Sequence, residues 1–289
     1  MNIARAHYRG RLAPTPSGRL HLGHAATFMA AARRARERSG RLVLRVDDID
    51  LARCQPRFVT AAIEDLRWLG IDWHEGPERG GPHPPYFQSQ RLASYRAAFS
   101  RLRAAGLVYP CSCSRRDIDN AARAPHAADD GETIYPGTCR GRDPDSVADD
   151  APVAWRFRVP DGRRIVFGDI AAGRQEFVCG RDFGDFPVWR RDRLPSYHLA
   201  SVSDDIAMAI SEVVRGADLL LSTARQILLF RALGAQPPAF LHCPLVTDEH
   251  GRRLAKRDQS LALDSLRRRG LKPSELIAGL GAGAPFTPR

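Results

Sequence analysis

The sequence predicts an α/β protein built on a parallel sheet, with a β-rich insertion in its middle. Strand-like apolar segments and amphipathic helical segments alternate between Arg11 and Ala105, which is the order of successive βα units. Glycine follows each predicted helix, where a helix C-terminus favours it. Between Pro152 and Phe186, short alternating segments and turn residues replace the helical periodicity, and this pattern indicates strands.

The first βα unit contains a tight turn at residues 11–24, R-L-A-P-T-P-S-G-R-L-H-L-G-H. Its apolar start predicts a strand, and the prolines and glycine that follow end regular structure. The alanine-rich segment after the turn predicts a helix, with Gly40 at its C-terminus. Two histidines, His21 and His24, are therefore expected at the start of this helix.

A helix start of this kind is suited to phosphate. It presents unpaired N–H groups and roughly half a positive charge, and imidazole can donate hydrogen bonds to phosphoryl oxygens. Gly18 and Gly23 would let the backbone approach a ligand closely. The alternative is an ordinary βα turn with His21 and His24 at the surface. That alternative weakens only if the chain carries a second phosphate-handling element.

The next units are predicted from a short strand at residues 41–46 and from helices near 57–69 and 89–105. The strand ends in the acidic segment D-D-I-D at residues 47–50. Because ligands of α/β sheets bind at the carboxyl ends of strands, these acids could meet a substrate. An acidic loop that caps the following helix is the alternative.

A candidate metal site follows at Cys111, Cys113 and Cys139. Zinc prefers four nitrogen or sulfur ligands, and close cysteines with a distant third are a common way to build such a site. His126 is the conventional candidate for the fourth ligand and Tyr135 an unconventional one. Three reduced structural thiols are the alternative. The other cysteines are isolated, and we expect small apolar fillers at Cys54, Cys179 and Cys243.

The segments after residue 152 supply the remaining elements. Residues 161–162, Asp-Gly, are a hairpin signal inside the β-rich insertion. After the insertion, a helix capped by Ser222 or Thr223 is expected to run to about Leu233, and residues 241–246 are the last candidate for a buried strand.

The composition narrows the class of partner. The formal net charge is +11 over 289 residues, and a basic surface favours nucleic acid because neutralising phosphates releases counterions. No apolar run reaches the roughly 18 residues of a membrane helix, and the N-terminus lacks the apolar core of a signal peptide. We therefore expect a cytoplasmic protein without a membrane span. Its six cysteines then favour metal binding or free thiols over disulfides.

A second candidate phosphate-binding element is the polar loop at residues 248–257, D-E-H-G-R-R-L-A-K-R. It has five basic side chains, counting the histidine, and it contains Lys256, one of only two lysines in the chain. In isolation, a solvated basic loop would be the better interpretation. Because the chain also contains the histidine turn, however, we interpret this loop as the second phosphate-handling element.

Together these segments resemble the class I aminoacyl-tRNA synthetases, in their glutamate branch. Residues 14–24 are similar to the first family signature, P-x-P-[ST]-G-x-[LI]-H-[LIF]-G-H, and residues 253–257, R-L-A-K-R, to the second, K-[LM]-S-K-[SR]. The segments R-V-D-D-I-D, V-V-R-G-A-D-L-L and F-L-H-C-P-L match the family in order and spacing. The resemblance covers about residues 9–260 and implies a Rossmann-type parallel sheet.

The resemblance implies a ligase that activates L-glutamate with ATP and Mg²⁺ and then transfers it to tRNA. Its implied catalytic residues are His21, His24 and Lys256. The implied ATP-binding residues are His21, Gly23, His24 and Lys256, and the implied glutamate-binding residues are Arg11, Leu12, Ala13, Pro14, Thr15, Asp47, Tyr197 and Arg215. The two arginines would bind carboxylate, since guanidinium donates paired hydrogen bonds, and Asp47 and Tyr197 would hold the amino group.

The cysteine pattern is similar to the zinc site of a truncated branch of this family, and on this resemblance the ligands are Cys111, Cys113, Tyr135 and Cys139. Members of that branch activate glutamate without tRNA and place it on the queuosine of tRNA(Asp). The resemblance therefore implies one structural Zn²⁺, and tRNA(Asp) carrying queuosine as the partner. A monomer is expected.

The expected domain division follows from these matches. A Rossmann-type catalytic domain would comprise two halves, residues 1–108 and 195–247, around an insertion domain with the zinc site at residues 109–194. Residues 248–289 would hold the second-signature loop and a short helical C-terminus. Since about 32 residues follow the second signature, we expect no anticodon-binding domain.

Three positions depart from the family pattern. Asp47 stands where the family usually has glutamate, so its carboxylate is one methylene shorter. Ala255 replaces a serine of the second signature, which removes a hydroxyl near the phosphates, and His198 stands where the larger glutamyl enzymes tend to carry asparagine. None of these changes removes a group that the chemistry requires.

Three other functions remain open on the sequence. A minimal glutamyl-tRNA synthetase would charge the 3′ end of a tRNA. A ligase joining an amino acid to a small amine would use the same activation step and would need no basic surface. A non-catalytic zinc-dependent RNA-binding module is the alternative from a different class, and it would have no need of His21, His24 and Lys256 together.

Overall fold

The computed structural model describes residues 8–114, 116–118, 134–148, 151–246 and 262–276. Within them the first βα unit is present as predicted. Strand β1 (Arg9–Leu12) pairs in parallel with β2 (Arg41–Leu44), with Arg9 opposite Arg41. Helix α1 (Leu22–Glu37) connects the two strands. The last three residues of each strand are buried, as expected of parallel strands that are covered on both faces.

The end of α1 corrects the predicted role of Gly40. Arg38 is the C-cap of the helix, and Ser39 takes the left-handed conformation, with φ 48°. Gly40 is needed for a close approach instead, because a Cβ atom there would lie 2.5–2.6 Å from atoms of Tyr8. The glycine thus lets the chain enter β2 beside the start of β1.

The next two predicted helices are present, with slightly different ends. Helix α2 spans Pro56–Trp68 and helix α3 spans Leu92–Ala104. A glycine with positive φ follows each of them, Gly70 at 69° and Gly106 at 68°. Both helices therefore end where the sequence signals predicted.

The β-rich insertion forms parts of two sheets. Strands β3 (Val108–Cys111), β4 (Ala154–Phe157) and β7 (Phe186–Trp189) make an antiparallel sheet in the order β3-β4-β7. Strands β5 (Arg164–Asp169) and β6 (Gly173–Val178) form a hairpin.

The hairpin predicted at residues 161–162 is wrong. Gly162 does make a turn, with φ 70°, but the strands on either side of it, β4 and β5, belong to different sheets. The hairpin instead turns between β5 and β6, where Gly173 has φ 72°. A turn residue shows that the chain reverses there, and it does not determine which strands pair.

The chain then returns to alternating helices and strands. These elements are helix α4 (Tyr197–Ala207), strand β8 (Glu212–Gly216), helix α5 (Leu220–Ala232), strand β9 (Ala239–Cys243) and helix α6 (Leu263–Arg268). Strand β9 is parallel to β8 and to β5, so the sheet order is β6-β5-β9-β8.

The predicted cap of α5 by Ser222 or Thr223 is wrong. The helix begins at Leu220 after a 3₁₀ turn over Ala217–Leu219, and its N-cap Leu219 makes no side-chain cap bond. Thr223 lies in the first turn of the helix, and its hydroxyl accepts a hydrogen bond from Arg215 Nη2 at 2.6 Å. Thr223 therefore accepts a hydrogen bond in the protein interior and does not cap the helix.

Polar contacts join the first βα unit to the second half of the chain. Ser211 N donates to Arg9 O at 2.9 Å, which ties the start of β8 to β1. Arg34 on α1 donates to both carboxylate oxygens of Glu212, at 2.8 and 2.7 Å.

Among the described residues, no helix combines the length and the apolar character that crossing a bilayer requires.

Helix α4 is held by the buried carboxylate of Asp204, which is 0% exposed. It accepts hydrogen bonds from Gln88 Nε2 at 2.8 Å, from Arg91 Nε at 2.6 Å and from the Tyr95 hydroxyl at 2.9 Å. Arg45 Nε lies 3.6 Å away. One side chain thus links α4 to α3 and to the segment before it.

We expect Asp204→Ala to lower the free energy of unfolding by about 3–5 kcal/mol, because it leaves guanidinium charge buried without a partner. Asp72→Ala is the matched control. Asp72 pairs with Arg79 at 2.5 Å on the surface, with 77% of its side chain exposed, so its loss should cost less than about 1 kcal/mol. Urea unfolding measures both, and equal losses would contradict the prediction.

Candidate active site

The two histidines lie at the N-terminus of α1, as predicted. His21 is the N-cap, and its Nδ1 accepts from Gly23 N at 3.1 Å. His24 Nδ1 accepts from His21 N at 3.2 Å, so the two side chains cap the helix reciprocally. Because each Nδ1 is an acceptor, each neutral ring carries its proton on Nε2. An Nε2–H group is the donor that a phosphoryl oxygen requires.

A cavity of about 490 Å³ opens beside the histidines. This volume is in the range of small-molecule sites. Its lining includes Thr15, Gly18 and both histidines from the turn, and Asp264 and Arg268 from the first and last turns of α6. The predicted phosphate-binding turn therefore borders a cavity of ligand size, and its binding of phosphate stays a prediction.

Two arginines add positive charge to this cavity. Arg19 and Arg268 line it, and both pair with Asp264, at 3.2 and 2.9 Å. No sequence pattern pointed to these two residues. Arg19 occupies a variable position of the first signature, so the motif indicated the location without indicating the residue.

The second signature lies outside the described residues, and so does its Lys256. The first described residue after it, Ala262, forms an antiparallel bridge with His21, and Leu263 N donates to Leu20 O at 2.9 Å. Residues 262 and 263 therefore lie against the histidine turn. The roles of Lys256 in catalysis and in ATP binding stay predictions.

The two arginines predicted to bind carboxylate lie near the carboxyl ends of neighbouring strands. Arg11 on β1 and Arg215 on β8 are 7% and 6% exposed. Arg11 Nη1 donates to Val214 O at 2.8 Å. Its Nε has no hydrogen-bond partner among the described residues, and Asp205 lies 3.8 Å from it. Burial lowers the pKa of Arg11, against the opposing effect of Asp205.

Arg215 has three hydrogen-bond partners. It donates through Nη1 to the Tyr197 hydroxyl at 3.1 Å, through Nη2 to Thr223 Oγ1 at 2.6 Å and through Nε to His242 Nε2 at 3.2 Å. Tyr197 was predicted in the site, and 46% of it is exposed. The structure therefore brings Tyr197 and Arg215 together. Thr223 was noted only as a helix cap, and His242 only within a matching segment.

The carboxylate of Asp47 is paired with Arg45, a contact that the sequence did not reveal. Its two carboxylate oxygens accept from Arg45 Nε at 2.7 Å and Arg45 Nη2 at 3.2 Å. Burial raises the pKa of Asp47 to about 6, although Arg45 acts to lower it. Holding a substrate amino group would require Asp47 to serve two cations at once, and this role stays a prediction.

The acidic segment at residues 47–50 does not cap helix α2. Helix α2 has Gln55 as its N-cap, with no side-chain cap bond. Asp48 accepts from the backbone N and the hydroxyl of Ser89, at 2.8 and 2.7 Å, and Asp50 accepts from Arg53 at 2.7 Å. The interpretation as an acidic helix cap is therefore wrong.

The backbone of residues 12–15 is tied to the end of β2. Leu12 O accepts from Arg45 N at 2.9 Å, and Pro14 O accepts from Asp47 N at 3.0 Å. Ala13 and Thr15 line the cavity. These predicted glutamate-binding residues are thus held by backbone hydrogen bonds to the segment after β2, and two of them border the cavity.

His198, one of the departures from the family pattern, has its Nδ1 buried without a hydrogen-bond partner among the described residues. Burial, with the charges of Arg225 and Arg215 nearby, lowers the pKa of His198 to about 3. The ring is therefore neutral at pH 7. A neutral ring avoids adding a third positive charge next to these two arginines.

The predicted metal ligands come together. The Sγ atoms of Cys111, Cys113 and Cys139 lie within 4.8 Å of one another. The Tyr135 hydroxyl is 3.4 Å from Cys111 Sγ and 3.5 Å from Cys113 Sγ, and it accepts from Cys139 N at 2.8 Å. His126, the other candidate for the fourth ligand, lies outside the described residues. The four donors fit a tetrahedral site, and zinc there would join two distant segments.

A buried cation lies beside this cluster. Arg156 Nε donates to Cys111 Sγ at 3.4 Å, and its guanidinium lies 3.9 Å from the centre of the Tyr135 ring. Burial acts to raise the pKa of Cys139, but hydrogen bonds from Tyr135 and the backbone lower it to about 7. Near pH 7 this lowered pKa makes thiolate, the form that binds metal, available at Cys139, whereas burial raises the pKa of Cys113.

Comparisons with known proteins show the family to which the chain belongs. A family model described as the catalytic domain of class I tRNA synthetases (E and Q) matches residues 7–283. The Glutamyl-Q tRNA(Asp) synthetase of Symbiobacterium thermophilum is 49% identical over 275 residues, which is 94% of this chain and 84% of that protein. Glutamate--tRNA ligase 2 of Nitrosococcus oceani is 42% identical over 94% of this chain and 58% of that protein.

Among solved structures, a glutamate tRNA ligase from Elizabethkingia meningosepticum, in complex with its amino acid, is similar in fold. It has a TM-score of 0.76 and 30% sequence identity, and the match covers 87% of this chain and 52% of that one. The parallel strands and their helices thus belong to a class I synthetase fold.

We expect the purified protein to contain about one zinc per chain, because three thiols and one phenol satisfy a tetrahedral site. Cys139→Ser should lose the metal. Cys179→Ser is the matched control, since Cys139 and Cys179 are both 2% exposed and only Cys139 belongs to the cluster. Metal analysis of protein prepared without chelator measures both. Protein without zinc would contradict the prediction, whereas zinc retained in Tyr135→Phe would remove only the fourth ligand.

Proposed function

The chain belongs to the class I tRNA synthetases (E and Q) and is a ligase of the aminoacyl-tRNA synthetase type, and from this premise we propose its substrates and its product. It activates L-glutamate with ATP, without tRNA, and then transfers the glutamate to queuosine in the anticodon of tRNA(Asp). The observation that carries the choice of amino acid is the pair of buried guanidinium groups of Arg11 and Arg215. A buried cation favours an anionic side chain over a neutral one.

In the activation step, the α-carboxylate of glutamate attacks the α-phosphorus of ATP, and the bond to the departing pyrophosphate breaks. Negative charge builds on the phosphoryl oxygens, so catalysis depends on positioning and on charge stabilisation. The Nε2–H groups of His21 and His24 donate to these oxygens, and the backbone N–H of Gly23 adds to the positive end of α1. Lys256 neutralises the pyrophosphate together with the Mg²⁺ that ATP carries.

The amino acid is held beside this cavity. Arg11 and Arg215 bind carboxylate, and the Tyr197 hydroxyl, already 3.1 Å from Arg215 Nη1, accepts from the amino group. Asp47 supports the ammonium charge while it remains paired with Arg45. Residues 12–15, whose backbone is hydrogen-bonded to the segment after β2, contribute to the binding of glutamate.

The choice of acceptor rests on the relatives. The Glutamyl-Q tRNA(Asp) synthetase of Symbiobacterium thermophilum is 49% identical to this chain, against 42% for the glutamate--tRNA ligase of Nitrosococcus oceani. The net charge of +11 suits an RNA acceptor. Charging of a tRNA 3′ end is the second candidate, because the second relative carries that name. Since the chain is a ligase, a non-catalytic RNA-binding module is not its function.

The amino-acid part is tested by ATP–pyrophosphate exchange without tRNA. We expect glutamate to support exchange and glutamine to support it at least about 10-fold less, because glutamine leaves a buried guanidinium unpaired, at a cost of roughly 1–3 kcal/mol. Equal rates with the two amino acids would show that Arg11 and Arg215 do not read the side chain. Exchange that depends on added tRNA would reject tRNA-independent activation.

The acceptor is tested by gel analysis of labelled products under acid conditions. Glutamate should be transferred to tRNA(Asp) that carries queuosine and not to the same tRNA without it. Oxidation of the 3′-terminal ribose separates the two candidates if queuosine is protected or is introduced afterwards. Labelling that requires an intact 3′ end and is equal with and without queuosine would support the glutamyl-tRNA synthetase alternative instead.

We expect Lys256→Ala to lower the turnover of glutamate activation by about 10²–10³-fold. The KM for ATP should stay within a few-fold, because a contact made as charge moves to pyrophosphate acts on the transition state. Lys272→Ala, at the only other lysine of the chain, is the matched control and should keep its turnover. Normal turnover with a greatly raised KM would make Lys256 a binding residue only.

A further inference from the structure

Behind Arg215 lies a row of buried polar side chains that the proposed reaction does not use. His242 on β9 is 2% exposed, and its Nε2 accepts from Arg215 Nε at 3.2 Å. Its Nδ1 lies 2.6 Å from Asp169 Oδ2, on the neighbouring strand β5. Thr223 Oγ1 lies 3.0 Å from His242 Nε2 and also contacts Arg215. A continuous path of hydrogen bonds therefore runs from Asp169 to the guanidinium.

The protonation states of this row are determined by its surroundings. Burial acts to raise the pKa of Asp169, but hydrogen bonds from Ala172 N and from His242 outweigh it and lower that pKa. Burial lowers the pKa of His242, and Arg215 adds to the effect, against the opposing influence of Asp169. At pH 7 the row is therefore a carboxylate followed by a neutral imidazole.

Only one tautomer of His242 fits these neighbours. Asp169 is a carboxylate and can only accept, so Nδ1 must carry the imidazole proton. Nε2 then holds a lone pair, which is what the Nε–H of Arg215 requires. The other tautomer would direct two N–H groups at each other, between His242 and Arg215. Asp169 thus determines which end of the ring is the acceptor.

The contacts of Arg215 leave a defined part of the guanidinium for a ligand. The Nε–H and one N–H of Nη2 meet His242 and Thr223, which are themselves in contact. Planar guanidinium has five donors, so the terminal nitrogens Nη1 and Nη2 keep donors for a carboxylate on the side of Tyr197. A carboxylate bound there can take two parallel hydrogen bonds.

We propose that Asp169 and His242 are positioning residues, which hold the plane of Arg215 so that its terminal nitrogens meet the carboxylate of the amino acid. This inference rests on the proposed function, in which Arg215 binds that carboxylate. It extends the site to β5, because Asp169 belongs to the hairpin β5–β6 and pairs with Phe240 of β9. A strand of the β-rich insertion thereby contributes to the choice of substrate.

Asp169→Asn tests the tautomer directly. Oδ1 of Asp169 accepts from three backbone N–H groups, of Ala171, Ala172 and His242, at 3.0, 2.8 and 3.2 Å. The amide oxygen of asparagine must remain there, so its NH₂ group faces His242 Nδ1. That nitrogen then accepts, the proton moves to Nε2, and the contact with Arg215 is lost.

We expect Asp169→Asn to raise the KM for glutamate by about 10- to 100-fold, the effect of leaving a buried donor unpaired. The KM for ATP should stay within a few-fold, since Arg215 is not among the residues that line the cavity beside the histidines. Asp185→Asn is the matched control. Both aspartates are 5% exposed and both accept from side-chain and backbone donors, but Asp185 has no contact with Arg215. Its KM for glutamate should not change.

A second substitution separates positioning from general damage. His242→Gln can put its side-chain oxygen where Nε2 lies and needs no tautomer, so its KM for glutamate should stay within a few-fold of wild type. In that background Asp169→Asn should add little. His242→Leu, which has no acceptor, should raise the KM as Asp169→Asn does, and it provides the test if Asp169→Asn is unstable. A rise that persists undiminished in the double variant would overturn the proposal, as would unchanged KM values in Asp169→Asn and His242→Leu.

Nitrogen NMR of histidine-labelled protein gives a readout that does not depend on activity. The wild-type His242 ring should be neutral with its proton on Nδ1, and Asp169→Asn should move the proton to Nε2. A wild-type ring protonated on Nε2 would overturn the proposal, whatever the kinetics. If wild-type protein showed this tautomer but no exchange with glutamate, the proposed function would fail and the positioning of Arg215 would stand.

Discussion

The buried guanidinium of Arg45 is the interaction on which the rest of the site depends. It is 1% exposed and contacts three carboxylates, those of Asp47 and Asp205 at 2.7 Å and that of Asp204 at 3.6 Å. Burying three carboxylates together is unfavourable unless cations pair with them. Arg45 meets this requirement at the end of β2, where α4 approaches the first βα unit. The same cluster reaches Arg11 through Asp205.

Each of the buried arginines, Arg11 and Arg215, has a carboxylate that balances its charge. Asp205 partly offsets the burial of Arg11, and Asp169 acts on Arg215 through the neutral ring of His242. A neutral linker is suited to this place because a protonated ring would repel the guanidinium. The site can therefore keep two cations buried and in fixed orientations before any ligand arrives. Pre-organisation of this kind lowers the entropy cost of binding.

The nucleotide side of the site has a simpler basis. His21 and His24 close the N-terminus of α1 by accepting two backbone N–H groups, and the same contacts leave the ring protons on Nε2. Structural capping and phosphate binding thus need the same tautomer. The backbone ties between residues 12–14 and β2 hold this turn against the buried charge cluster. The histidine turn and Arg11 are therefore fixed by the pair of β1 and β2, whereas Arg215 is held by partners on β9 and β5.

The sequence by itself determined the parts of this protein that depend on local geometry. The spacing of His21 and His24 fits a single helical turn, and Cys111, Cys113, Tyr135 and Cys139 lie in two short segments, so their patterns could be recognised. The helices followed from periodicity and from their terminal glycines.

Only the tertiary structure decided the contacts that cross the sheets. Arg45 and Asp205 are 160 positions apart and Asp169 and His242 are 73 apart. No periodicity relates such residues, because they meet only through the order of the strands. The same reason explains the wrong hairpin at residues 161–162 and the wrong cap of α5. Strand pairing and buried charge partners depend on the whole fold, since low-dielectric burial makes them favourable only when all the partners are present.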